Sequence, residues 1–199
     1  MIDIAKRKII IVTDGDTVAR KAVETASHNI GARCISVSAG NPTRLTGEQL
    51  VVQINKAPFD PVVVMLDDKG FLGQGKGECA LQYLAGHPEL EVLGVLAVAS
   101  NTEFAEGVSI DCSVTSSGQI SQMAVNKAGH ERVDGSNSLT GDTVENLNSL
   151  NIPVIVGIGD IGKMNGADDP DRGAPLTTKA LKEILFRSGF NVSGSLRTE

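Results

Sequence analysis

Tryptophan is missing from this 199-residue chain, and aromatic residues make up only 3% of it. A core without large rings has to be packed from Val, Ile, Leu and Ala, a composition that suits parallel strands covered by helices on both faces. The hydrophobic share, 41%, is large enough for such a core. Long apolar runs are missing too. The longest are strand-length, far short of the ~20 residues that cross a bilayer. No secretory leader is expected, because Met1 to Lys8 runs straight into an apolar strand. A soluble protein is therefore expected, with any membrane association peripheral or through a partner.

Three further shortages exclude whole classes of function. Beyond Lys6-Arg7-Lys8 there is no basic run, and the net charge is −6. Nucleic-acid binding needs a concentrated cationic face, so no nucleic-acid partner is expected. The cysteines, Cys34, Cys79 and Cys112, form no C-x-x-C pair and read as reduced thiols rather than metal ligands. His28, His87 and His130 lie far apart and supply neither a ligand set nor a Ser-His-Asp triad.

What is present is a series of short apolar runs that end in acids. The central one is Pro61 to Glu78, PVVVMLDDKGFLGQGKGE. Its Val62 to Leu66 read as a strand buried on both faces. Asp67-Asp68, Lys69 and a Gly-rich loop follow, and a helix is expected from Glu78 to Ala85. Lys8 to Val12 is a strand of the same kind, ending in Asp14 and Asp16. Asp16 or Thr17 is placed to cap a helix from Val18 to Ile30, with Gly31 as its terminator. Cys34 to Val37 reads as a strand, Thr46 to Lys56 as a helix and Val92 to Ala99 as a strand. This β-α-β-α-β-α-β order indicates a doubly wound, mainly parallel sheet with helices on both faces.

After Gly107 the pattern alternates over Val108 to Val114 and Ile120 to Val125, joined by Thr115-Ser116-Ser117-Gly118, which predicts a β-hairpin. Residues 107–141 are thus expected to form an inserted hairpin and polar-loop excursion from one α/β domain spanning 1–199. Thr143 to Leu150 has helical spacing and Ile152 to Val156 reads as the last buried strand. A helix from Pro175 to Ser188, capped by Gly189, completes the chain.

Strand ends at one edge of an open α/β sheet are where functional groups gather. The ligand or metal candidates are therefore Asp14, Asp16, Asp67, Asp68 and Asp160, each following a predicted strand. Converging carboxylates repel one another unless a cation offsets them, and Mg²⁺ or Ca²⁺ is a natural guest for such oxygens. The loop candidates are Lys69, Gly73, Gly75, Lys76 and Lys163. Two Gly motifs read as turns instead. Gly70 to Gly77 lacks the Ser or Thr that a P-loop needs after its Lys. Gly157 to Gly162 lacks the following helix and strand of a dinucleotide fold.

Taken together, VTDGDTVARKAVETAS, RCISVSAGNPTRLTGEQL, DPVVVMLDDKGFLGQGKGE, LGVLAVASNT, GDTV and IPVIVGIGDIGKM, followed by GAPLTTKALKEIL, resemble the stage V sporulation protein AE family. This is a soluble branch of the SpoVA group of endospore-forming bacteria. The resemblance runs from about Lys6 to Phe190. It implies a non-enzymatic accessory subunit without a cofactor, acting beside SpoVA-group membrane proteins that handle calcium dipicolinate in sporulation and germination. It also implies a place in the developing spore, peripheral at the inner membrane, where dipicolinate is a further expected ligand. A remoter similarity, to the TOPRIM arrangement of topoisomerases and primases, implies a Mg²⁺-dependent phosphotransfer or nuclease-type enzyme instead. That pattern needs a Glu after the first strand and Asp-x-Asp after the later one. This chain has Asp14 or Asp16, and adjacent Asp67-Asp68.

Overall fold

A computed structural model describes residues 5–69, 75–100, 107–141 and 143–192. Its centre is a seven-stranded sheet in the order β2-β3-β1-β4-β9-β6-β7. The strands are β1 (Arg7–Val12), β2 (Arg33–Cys34), β3 (Val62–Met65), β4 (Leu90–Val98), β6 (Cys112–Val114), β7 (Ile120–Ser121) and β9 (Ile155–Ile158). All neighbours pair parallel except β6 and β7, which are antiparallel. Four helices cover it: α1 (Thr17–Asn29), α2 (Gly47–Asn55), α3 (Lys76–Ala85) and α4 (Pro175–Ser188). The fold is the doubly wound α/β arrangement that the alternating elements imply.

Alternation along each strand divides the core into two layers. Ile10, Val12, Val63, Met65, Leu96, Val156 and Ile158 pack against Ala19, Ala22 and Ala26 of α1 and Leu181 and Ile184 of α4. Ile9, Ile11, Val62, Val64, Val95 and Ala97 point the other way, onto Leu50 and Ile54 of α2 and Leu81 and Leu84 of α3. The helix periods match these faces. Their ends follow ordinary capping chemistry: Asp16 accepts from the Val18 and Ala19 N–H groups, both at 2.8 Å. Thr46 and Gln49 form a reciprocal capping box on α2. Gly189, at φ 71°, closes α4.

The structure revises four local expectations. The strand expected over Cys34 to Val37 stops at Cys34, and Ser36–Ser38 form a short 3-10 turn. Ser38 is the cause: its Oγ donates to Ile35 O at 2.6 Å and accepts from Met65 N of β3 at 2.9 Å, in place of the carbonyl that a continued β2 would offer. The stretch from Val108 to Val114 is two strands rather than one. β5 (Val108–Ser109) pairs with β8 (Ser138–Leu139) in a separate two-stranded sheet, whereas β6 joins β9. Asp111 makes the switch, donating its N–H to Ile155 O and accepting Ile155 N on Oδ2 at 2.7 Å. The helical spacing of 143–150 becomes a 3-10 segment over Glu145–Ser149. Thr143 leads into it at φ 63°, and the turns that close are three-residue ones, Leu147 N to Val144 O and Leu150 N to Leu147 O. Finally, β9 begins at Ile155, three residues later than the sequence reading, and continues through Gly157 to Ile158.

The hairpin of β6 and β7 closes at the expected turn, with Gly118 at φ 78° and its N–H bonded to Thr115 O, but its second arm ends at Ser121 rather than at Val125. Both strands extend the main sheet. Segment 107–141 thereby supplies the far edge of the sheet as well as the small second one.

Candidate functional site

The strand ends of β1, β3 and β9 lie along one edge, and they bring the five acids into two groups. Asp14, Asp16 and Asp160 each offer a carboxylate oxygen within 4.8 Å of the others, and they are the set among the described residues that could hold a metal ion. A cation of the chain's own stands there. Lys163 Nζ bonds Asp16 Oδ2 at 2.8 Å and Asp160 Oδ1 at 3.0 Å, and Lys127 Nζ approaches Asp160 at 3.7 Å. Lys163 therefore ties the start of α1 to the loop after β9. Burial works to lower the Lys163 pKa, but the Asp16 and Asp160 carboxylates outweigh it and hold the amine well above its usual range. Burial likewise works to raise Asp16, yet Lys163 and the N–H groups of Ala19 and Val18 keep it below its usual range. The ammonium thus pairs with two of the three carboxylates.

Asp14 is the exception in this cluster. It is 9% exposed, and among the described residues its carboxylate accepts one N–H, from Asp16 at 3.1 Å. Burial pushes its pKa up to about 7, and the neighbouring charges of Asp16 and Asp67 add to the rise. The Asp16 N–H and Lys163 oppose it without prevailing.

Asp67 and Asp68 form the second group, and they face apart as neighbouring residues beyond a strand do. Asp67 accepts Gly15 N at 3.2 Å and Lys69 N at 2.8 Å, while its backbone is clasped by Thr43, whose Oγ1 accepts Asp67 N at 2.7 Å. Asp68 turns to α3, accepting Gly77 N at 2.6 Å, Glu78 N at 2.9 Å and Thr143 Oγ1 at 3.0 Å. The residue at the N-cap of α3 is Gly75, which has no side chain to cap with. Asp68 supplies the missing acceptor from the end of β3. This explains two glycines. A Cβ on Gly75 would collide with Asp68 Oδ1, and one on Gly77 would lie 2.9 Å from both Asp67 O and Asp68 Oδ2. Glycine here makes room for a carboxylate of the chain itself, and α3 starts at Lys76, two residues before the sequence-based start.

Asp168 is a residue that the sequence reading passed over as part of a turn. It is fully buried and accepts Gly162 N, Leu176 N, Thr177 N and Thr177 Oγ1 at 2.6–2.9 Å. It caps α4, whose own N-cap residue is Ala174 in the left-handed region at φ 45°. The usable signal was negative. A helix opening on Ala-Pro has no capping side chain of its own and needs an acceptor from upstream, and Asp168-Asp169 stands there.

The loop candidates separate. Lys69 is exposed, at φ 56°. Lys76 is exposed at the start of α3 and lines, with Gly75, Arg44, Cys79 and Tyr83, a cleft of 460 Å³. Gly73 lies outside the described residues. Lys163 is the one drawn into the acidic cluster.

Among the described residues no helix is long and apolar enough to cross a membrane. Neither a curated protein nor a solved structure matches the chain significantly. A family model described as stage V sporulation protein AE1, SpoVAE, matches residues 8–188, from the first residues of β1 to the end of α4. That span takes in the described strands and helices, save Arg7 at the start of β1, and Asp14, Asp16, Asp67, Asp68 and Asp160 of the sheet edge, and the chain belongs to the SpoVAE family of sporulation proteins.

Proposed function

We propose that this protein is a non-enzymatic accessory subunit of the SpoVA machinery, which handles calcium dipicolinate in sporulation and germination. The observation that carries this reading is the family match across 8–188, whose description names a sporulation role. The edge geometry supports it. Asp68 and Asp168 are used as helix caps, and Asp16 and Asp160 are neutralised by Lys163. A Mg²⁺-dependent phosphotransfer site would need carboxylates that share an ion, and Asp67 and Asp68 face apart. Recruitment to the spore inner membrane runs through membrane-protein partners in this proposal. A chain at −6 without a basic amphipathic helix has little affinity for anionic lipid.

The test is capture of the tagged protein from sporulating cells. SpoVA-group membrane proteins should travel with it, and the purified chain should stay in solution when floated with anionic liposomes. Capture of nucleic acid without those proteins, or Mg²⁺-dependent turnover of a phosphoester, would defeat the proposal. Titration of the purified chain with dipicolinate, with and without Ca²⁺, tells a ligand-carrying subunit from a purely structural one.

A further inference from the structure

The neighbouring strands β1 and β3 send their connections to opposite faces of the sheet. α1 follows β1 and packs in the layer of Ile10 and Val12, whereas α3 follows β3 and packs in the layer of Ile9 and Ile11. Such a parting of connections leaves a crevice at the strand ends, the position where open α/β sheets take their ligands. A cleft of 240 Å³ lies here, between the start of α1 and the 39–44 segment that follows β2. Its walls are fixed from below by the end of β3. Asp67 accepts Gly15 N at 3.2 Å, and Thr43 donates its N–H and its hydroxyl to Asp67 O at 2.7 and 3.0 Å. The walls also touch each other, since a Cβ on Gly15 would come within 2.6 Å of Gly40 O.

The cleft is furnished with donors. Arg20 reaches it from α1 and Arg44 from the opposite wall, where its stem lies so near Gly40 that a Cβ there would meet Arg44 Cγ at 3.1 Å. Thr17 adds a hydroxyl and Asn41 an amide, and Ala39 is the one apolar side chain of the lining among the described residues. Arg20 has a loose partner in Glu24, at 3.6 Å. Among the described residues no hydrogen bond or ion pair engages the side chains of Thr17, Asn41 and Arg44. The carboxylate in the lining, Asp16, is already engaged: Oδ1 accepts Val18 N and Ala19 N, and Oδ2 holds Lys163. Two guanidinium groups therefore face this opening in a chain whose net charge is −6.

We propose that this cleft is a binding site for a phosphate-type oxyanion, taken as free phosphate or as the phosphoryl end of a small phosphomonoester. A carboxylate has two oxygens, which a single guanidinium fork satisfies. Two guanidinium groups on opposite walls, together with a hydroxyl and an amide, match a tetrahedral group with oxygens on every side. Size agrees with this. Pockets for drug-sized ligands run from ~300 to ~1,000 Å³, and their walls are mostly apolar. A polar cleft of 240 Å³ suits a phosphate and little more. The site rests on the cleft itself and does not depend on the accessory-subunit reading.

NMR of the ¹⁵N-labelled full chain tests it, by titration at neutral pH and constant ionic strength with inorganic phosphate, glycerol 3-phosphate and acetate. Phosphate or the ester should bind saturably with a Kd of about 1 mM or tighter. The largest shifts should fall on the amides of Gly15, Thr17, Gly40 and Asn41. Arg20→Ala and Arg44→Ala should each weaken binding about tenfold, and both side chains are exposed, so the fold should survive the change. Arg172→Ala removes the same charge at the far end of α1, where Asn29 bonds Gly173 O, and should leave binding unchanged. Tighter binding of the ester would assign the site to phosphorylated small molecules, and equal or tighter binding of phosphate to the free ion; both uphold it. Shifts without saturation, shifts centred elsewhere in the wild type, or acetate bound as tightly as phosphate would overturn the site. So would binding undiminished in Arg20→Ala or Arg44→Ala, or weakened equally in all three variants.

Discussion

At the scale of single residues, Asp14 and Asp16 have opposite consequences for stability although only Gly15 separates them. Asp14 binds its proton more tightly in the native state than in the unfolded chain, because its pKa is raised from 3.8 to about 7. Between those values the native state holds a proton that the unfolded chain has lost, so stability falls as pH rises through this window and is flat above it. Asp14→Asn removes the burden. It should match the wild type within error at pH 4 and be more stable by about 1–3 kcal/mol at pH 8, as measured by urea denaturation at both values. A variant equally destabilised at both pH values would contradict the assignment. Asp16 is depressed by Lys163 and by N–H groups, after burial is overcome, so its contribution is present above the ordinary carboxylate range and fades as acid protonates it. Lys163→Met should therefore destabilise by about 1–2 kcal/mol at pH 7, less than for a buried pair because the amine is partly exposed. The loss should shrink below pH 4.

At the scale of elements, two helices begin without a capping residue of their own and borrow one. Asp68 serves α3 from the end of β3, and Asp168 serves α4 from the preceding turn. Each carboxylate satisfies donors that would otherwise be buried and unpaired. Asp68→Ala should cost about 2–3 kcal/mol, from the lost cap and the stranded N–H groups of Gly77 and Glu78. Asp168→Ala should cost more, about 3–5 kcal/mol, because four donors lose a fully buried partner. Gly75→Ala tests the borrowing directly. It should destabilise the wild type, yet cost less in an Asp68→Ala background, where the carboxylate is gone and only the Cβ of residue 68, at 3.0 Å, remains in its way. Equal costs in both backgrounds, by thermal denaturation, would show that Asp68 does not set the requirement for glycine.

For the whole molecule, the edge of the sheet supplies its own counter-cation, which sets the response to added ions. Saturating Mg²⁺ or Ca²⁺ should change the melting temperature by no more than about a degree. A ligand at ~100 times its Kd would add about 2.7 kcal/mol and several degrees. A rise of that size, abolished in Asp16→Asn, would bring back the metal-dependent phosphotransfer reading.

Much of this architecture could be read from residue order alone. The strands β1, β3, β4 and β9 were legible because continuous Val, Ile and Leu runs have one comfortable place, a sheet covered on both faces. α1, α2 and α4 were legible from their apolar period, helped by the local caps of α1 and α2 and by the terminal glycines of α1 and α4. The acids were located correctly at strand ends, since that follows from connectivity. Which of them meet did not follow, because it depends on where side chains as much as 147 residues apart point once the sheet is assembled. Lys163 reaches across from β9 to Asp16, Asp68 leaves the cluster for α3, and Asp168 disappears into the start of α4. The same holds for Ser38 and Asp111, whose side chains replace backbone partners and so end one strand and divide another. Local chemistry determined the elements. The charge balance at their ends came from tertiary packing, because burial and distance, not spacing along the chain, decide whether a carboxylate caps a helix, pairs with an amine or keeps its proton.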